Sequence, residues 1–104
     1  MPYTVGELDY PARAELELTE VLQALADPVR LQLLRVLDAA DGELACNEIE
    51  LPVSKSTASH HYKVLREAGL IEARVEGTRR YYTLRTDDLE ARFPGLLDSV
   101  LSSS

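Results

Sequence analysis

The chain has 104 residues, 45% of them apolar and 28% charged, which is one domain's worth of ordinary globular composition and excludes both a disordered chain and a multi-domain enzyme. The formal net charge is −7, yet between Leu51 and Arg85 seven Lys and Arg residues face only three glutamates, so that stretch carries +4 and the remainder −11. A polyanion contact is therefore expected locally, because binding responds to the field at the contact surface more than to total charge. No apolar run approaches the roughly 18 residues of a membrane span, and the first ten residues lack the basic and apolar regions of a secretory signal, so a cytoplasmic protein without membrane contact is expected. The single cysteine, Cys46, cannot form an internal disulfide or by itself furnish a structural zinc site.

Residues 1–11 carry Pro2, Gly6 and Pro11 with little periodicity and read as a loosely ordered arm. The domain proper is expected over 12–101, with 102–104 a polar tail. From Ala12 to Ala26, Leu18, Val21, Leu22 and Leu25 recur at helical spacing and predict an amphipathic first helix. Asp27-Pro28 supplies a capping side chain followed by proline at the first helical position, where its missing N–H costs nothing. A second helix is predicted from Pro28 to about Ala40, with Leu31, Leu34 and Leu37 inward, stopping before Asp41-Gly42. A short third helix is expected over about 45–51, closed by Pro52.

Ser54 is the next capping candidate, and Lys55 to Ala68 runs without proline or glycine until Gly69 offers a C-cap, which predicts a fourth, basic helix. Ile71, Ala73 and Val75 then alternate with Glu72, Arg74 and Glu76, Gly77-Thr78 turns the chain, and Arg80, Tyr82 and Leu84 resume a period of two, predicting a β-hairpin with one tyrosine of Tyr81-Tyr82 packed inward. Asp87 is expected to cap a last helical segment carrying Leu89, Phe93, Leu96, Leu97, Val100 and Leu101, bent at Phe93-Pro94. The result is a mainly α fold with a β-hairpin, in the order ααααββα. Helices followed by a hairpin, with the most basic helix directly before it and a short L-P-V-S turn leading into that helix, form a winged helix-turn-helix.

Stepping about 100° per residue along the basic helix collects Ala58, Tyr62 and Leu65 on an apolar side and Ser56, Ser59, His60 and Lys63 opposite. That polar stripe is the candidate reading face for double-stranded DNA: small hydroxyl residues allow close approach to a groove, while His60 and Lys63 can donate to base edges or phosphates. The helix start adds Ser54, Lys55 and Thr57 beside N–H groups suited to a phosphate oxygen. Thr78, Arg79 and Arg80 at the hairpin tip are candidates for the backbone or an adjacent minor groove. His61, one residue round from His60, falls at the core edge and is assigned to a hydrogen bond within the fold or to a phosphate. Neighbouring histidines on a helix cannot both face one ion, so no metal site is expected there. Arg30 could reach a phosphate or pair with an acid, and the structural role is preferred.

The stretches L-A-D-P-V-R-L-Q-L-L-R-V-L, S-K-S-T-A-S-H-H-Y-K-V-L-R-E-A-G-L-I and E-G-T-R-R-Y-Y-T-L resemble the ArsR-type family of bacterial winged-helix repressors, over about residues 17 to 101. The resemblance implies a homodimer built largely from the first and last helices, occluding a promoter until an effector lowers its affinity. Carried over by position, it implies a dimer surface of Leu18, Val21, Leu22, Leu25, Leu89, Phe93, Leu97 and Val100. The family's cysteine-rich metal-sensing motif falls on E-L-A-C-N-E-I, where Ala45 and Asn47 take the two cysteine positions, and the last helix has no histidine. A metal sensor is thus not expected, and no cofactor is implied. Cys46 is read as a small buried hydrophobe rather than a redox switch. The effector is left open between a small organic ligand between the dimer helices, oxidation of Cys46, and none. The alternative to a DNA-binding repressor is a winged-helix module that docks on another protein, which an acidic or apolar reading face would have favoured. Catalysis is not expected, since no nucleophile, base and orienter share a recognisable spacing and no glycine-rich phosphate loop exists.

Overall fold

The Asp27 cap forms as its sequence requires. In the computed structural model, which describes residues 6–7 and 9–103, Asp27 Oδ1 accepts the backbone N–H of Val29 at 2.8 Å and of Arg30 at 3.0 Å. These bonds, the one from Arg30 first, hold its carboxyl below the ordinary range. Helix α2 (Pro28–Ala40) follows with proline at its first turn and ends at Asp41, which sits in the left-handed region (φ 51°) and returns its N–H to the carbonyls of Leu37 and Asp38. Leu33, Leu34 and Leu37 are its buried residues, whereas Leu31, expected inward, is half-buried.

The first helix is shorter than its periodicity suggests. Helix α1 covers only Leu18–Leu25, preceded by a 3-10 turn over Arg13–Glu15 in which the Glu15 carboxylate accepts the Ala12 N–H at 2.8 Å. Leu16 is extended between them and buried. The physical reason is tertiary: Leu16 lies against Gly69, where a Cβ would come within 2.0 Å of Leu16 Cδ2, and a continuous helix would carry that side chain away from the notch. Within α1, Val21, Ala24 and Leu25 face the core and Leu18 and Leu22 stay 46% and 43% exposed, so the apolar stripe is split between an inward and an outward edge.

The expected third helix is absent. Leu44–Ala45 instead form strand β2, followed by a single 3-10 turn at Cys46–Glu48 in which the Glu48 carboxylate accepts the Ala45 N–H at 2.8 Å. Pairing of Leu44 with Tyr82 and Ala45 with Tyr81 gives these backbone groups partners that a weak seven-residue helix could not offset. Helix α3 (Lys55–Ala68) has the predicted bounds, with Ser54 as N-cap and Gly69 (φ 90°) as left-handed C-cap. Strands β3 (Ile71–Glu76) and β4 (Arg79–Leu84) form the predicted antiparallel hairpin, Glu76 opposite Arg79 and Ile71 opposite Leu84, with Gly77 at φ 64° in the turn. Tyr82 is the inward tyrosine and stacks on Tyr62 of α3, ring centroids 4.2 Å apart, which fastens hairpin to helix.

Gly6–Glu7 form strand β1, antiparallel to Val75 and Arg74, giving a sheet of order β1-β3-β4-β2. The expected arm over 1–11 thus contributes a strand, and its residues 1–5 and 8 lie outside the described residues. Buried Arg85 donates to Pro11 O at 2.6 Å and Arg66 to Asp9 O at 2.5 Å, which ties the rest of that segment to the body. The last segment is two helices, α4 (Thr86–Arg92) and α5 (Leu96–Ser102), separated at Phe93-Pro94-Gly95. Asp87 lies inside the first turn of α4 rather than capping it; there Asp87 and Asp88 favour the helix dipole, and Asp88 pairs with Arg85 at 2.9 Å and Arg13 at 2.6 Å. The expected tail begins late, because Ser102 closes α5 and Ser103 O accepts from Arg35 at 2.6 Å. With α3 and the hairpin intact, the fold is a winged helix-turn-helix whose first recognition-unit helix is reduced to one turn.

Candidate nucleic-acid interface

Helix α3 sets two faces apart. His61, Tyr62, Leu65 and Ala68 are its buried residues, while Ser54, Lys55, Ser56, Thr57, Ser59, His60 and Lys63 are exposed. At the helix start Ser54 Oγ accepts the Thr57 N–H at 3.3 Å and donates to Thr57 Oγ1 at 3.0 Å, so the cap also orders the hydroxyls around it. On the wing, Thr78, Arg79 and Arg80 are exposed as well. Lys55 and Ser59 share one cleft with Thr78, Arg79 and Arg80, so helix start and wing tip converge.

The two adjacent histidines part company as the 100° step requires. His60 points outward, whereas buried His61 meets Arg30, its Nδ1 3.2 Å from the guanidinium NH1. Arginine can only donate, so this nitrogen is the acceptor. The same guanidinium donates through Nε to Ala24 O at 2.7 Å and through NH2 to Gln23 O at 3.3 Å. Arg30 thus satisfies the last carbonyls of α1 and steadies α3 at once; of its two sequence alternatives the structural one is realised, through carbonyls and His61 rather than an acid.

Several other basic residues are likewise engaged inside the chain. Arg74 binds Glu43 bidentately at 2.7 and 2.8 Å and Glu76 at 2.6 Å, and its guanidinium stands 4.4 Å from the Tyr81 ring centre. Its bonds pull the Glu43 carboxyl below the ordinary range. Arg35 bonds the carbonyls of Leu101 and Ser103, and Arg66 and Arg85 hold Asp9 and Pro11. Among the described residues no side-chain hydrogen bond or ion pair engages Lys55, Lys63 or Arg79, while Arg80 reaches the Tyr82 hydroxyl. The cations left for a partner are those of α3's outer face and the wing tip.

Cys46 is exposed, which corrects the expectation of a buried thiol. The inward position is taken by Ala45 of β2, 3% exposed, and Cys46 opens the 3-10 turn that follows. Of the eight residues expected at a dimer surface, Val21, Leu25, Leu89 and Leu97 are buried in the chain's own core. Leu18 and Leu22 are exposed and Phe93 and Val100 half-buried. Sequence periodicity could not separate these sets because both fall on the same broad apolar stripe.

A family profile described as a helix-turn-helix domain matches residues 25–74, the span from the end of α1 through α3 into β3. An uncharacterized HTH-type transcriptional regulator of Bacillus subtilis, YceK, is 37% identical over 83 residues, covering 78% of this chain and 83% of that protein. The biofilm growth-associated repressor of Agrobacterium fabrum is 37% identical over 90 residues, 83% of this chain and 75% of that protein. The arsenical resistance operon repressor of Staphylococcus xylosus is 38% identical over 76 residues, 71% of each. The chain belongs to the ArsR-type family of helix-turn-helix transcriptional regulators. At Ala45-Cys46-Asn47 only the middle residue is a thiol, and Ala45 is buried in strand β2. Among the described residues no three His, Cys, Asp or Glu side chains converge, and no helix is long and apolar enough to cross a membrane.

Proposed function

We propose that the chain is a DNA-binding transcriptional repressor that acts as a homodimer on an inverted-repeat operator. The observation that carries this reading is the sorting of cations: Arg30, Arg35, Arg66, Arg74 and Arg85 are engaged internally, while Lys55, Lys63, Arg79 and Arg80 are exposed on the polar face of α3 and the wing tip. In this reading α3 enters the major groove with Ser56, Ser59, His60 and Lys63 toward base edges. Ser54, Lys55 and Thr57 meet a phosphate at the helix start, and Thr78, Arg79 and Arg80 take the flanking backbone or minor groove. Two copies set their α3 helices into successive major grooves, about one helical turn apart, and the acidic remainder of the particle steers its approach.

Metal does not gate this repressor in our reading, because the residues beside Cys46 are Ala45 and Asn47 rather than thiolates. Selection of bound fragments from a random duplex pool tests the proposal: a two-fold symmetric site is expected, with affinity falling by about a thousandfold or more between roughly 50 and 200 mM salt. Enrichment of no site, or a flat salt response on the enriched one, overturns it.

A further inference from the structure

The shortened third element leaves an open cleft between the 45–53 segment, the first half of α3 and the wing tip, with a volume of about 700 Å³. Its lining is mainly apolar, with Ile49, Leu51, Val53, Ala58 and Tyr62, and Cys46 and Asn47 beside them. Its rim is cationic, carrying Lys55, Arg79 and Arg80 against the single carboxylate of Glu50. A phosphodiester backbone passing over this face satisfies the rim but leaves the wall behind it without a partner. The volume lies in the range of pockets that take small organic ligands, which combine an apolar lining with a few convergent charges.

We propose that this cleft binds a small aromatic or aliphatic carboxylate, its hydrocarbon against Ile49, Leu51 and Val53 and its anionic end between Lys55 and the wing arginines, and that such a ligand displaces DNA. The displacement rests on the DNA-binding reading above, since Lys55, Ser59, Thr78, Arg79 and Arg80 belong to both surfaces. Occupancy and duplex binding are then linked reciprocally: the ligand lowers DNA affinity by the factor by which DNA lowers ligand affinity. The site lies at the reading head, so release of the operator requires no rearrangement of the dimer.

The test uses the full-length protein, isotope-labelled for NMR, with 2-naphthoate as probe and the neutral 2-naphthalenemethanol as its uncharged counterpart. Naphthoate is expected to shift amides within 46–59 and 78–80, and the alcohol to bind about tenfold more weakly for want of the charge-assisted bonds. Ala58→Phe, which fills the cleft, is expected to abolish binding, and the exposed pair Arg79→Ala with Arg80→Ala to weaken it about tenfold while the remaining amide spectrum is unchanged. Shifts confined to other surfaces, equal affinity for acid and alcohol, or indifference to both variants overturn the site. Saturating naphthoate that leaves affinity for the selected duplex unaltered overturns the displacement. If the cleft fills but the protein binds no duplex, the ligand site stands and the DNA reading alone falls.

Discussion

Buried Arg85 shows how a single charge is held in this fold. Its guanidinium is bound by Asp88 Oδ2 at 2.9 Å and donates to Pro11 O, and Arg13 reaches the same Asp88 at 2.6 Å. The bonds from Arg13 and then Arg85 keep the Asp88 carboxyl below its ordinary value of 3.8. A carboxyl depressed in the folded state contributes stability that is fully present above its unfolded value and lost as pH falls through the folded one. Asp88→Asn is therefore expected to cost about 1–3 kcal/mol at neutral pH and to reduce the loss of stability below about pH 4, both read by urea unfolding across pH. An unchanged acid limb would show that the pair contributes nothing. Arg30 makes a second test at this scale. Arg30→Ala frees the carbonyls of Ala24 and Gln23 and the Nδ1 of His61, with an expected loss of about 1–3 kcal/mol and an unaltered salt slope for DNA. A reduced slope would instead make Arg30 a phosphate contact. The sequence could separate His60 from His61, because angle along a helix is local information. It could not reveal that Arg66 holds Asp9 O, Arg74 holds Glu43 and Arg85 holds Pro11 O, since those partners lie far away along the chain.

Elements were legible where their punctuation is local. Helix α3 starts at a serine whose hydroxyl caps it and ends at a glycine with φ 90°, and both signals stand in the sequence beside the helix they bound. The helix expected over 45–51 does not form: the two-residue strand there is too short to show a period, and its conformation is set by pairing with Tyr81 and Tyr82. The first helix starts later than its periodicity for a similar reason: Leu16 leaves the helix to pack on the bare backbone of Gly69, a contact between residues over fifty positions apart. Gly69→Ala is accordingly expected to destabilise through both the clash with Leu16 and the left-handed φ, by about 1–3 kcal/mol in urea unfolding. An effect under about 0.5 kcal/mol would mean Leu16 moves aside freely. For the wing, Arg79→Ala is expected to weaken binding to all duplexes alike and lower the salt slope by about 1 per binding site. Loss confined to one sequence would move Arg79 from the backbone to a base edge.

At the scale of the whole molecule, the exposed leucines of α1 offer the test of the proposed homodimer. Leu18 and Leu22 are four residues apart on α1 and remain 46% and 43% exposed while their neighbours Val21 and Leu25 are buried. Two adjacent leucines so placed are the exposed large apolar side chains among the described residues, and in the proposed dimer a second copy covers this edge. Replacing both, Leu18→Asp with Leu22→Asp, removes apolar area and sets like charges across the proposed interface. The protein is expected to keep its helical circular dichroism, since neither side chain belongs to the core, and to sediment as a monomer. Because a monomer loses the linkage between two half-sites, affinity for a symmetric operator is expected to fall by about a hundredfold or more, with the salt slope falling toward that of one half-site. A variant that still sediments as a dimer and still binds would place the interface away from α1, with Phe93 and Val100 of the C-terminal segment left as its apolar surface.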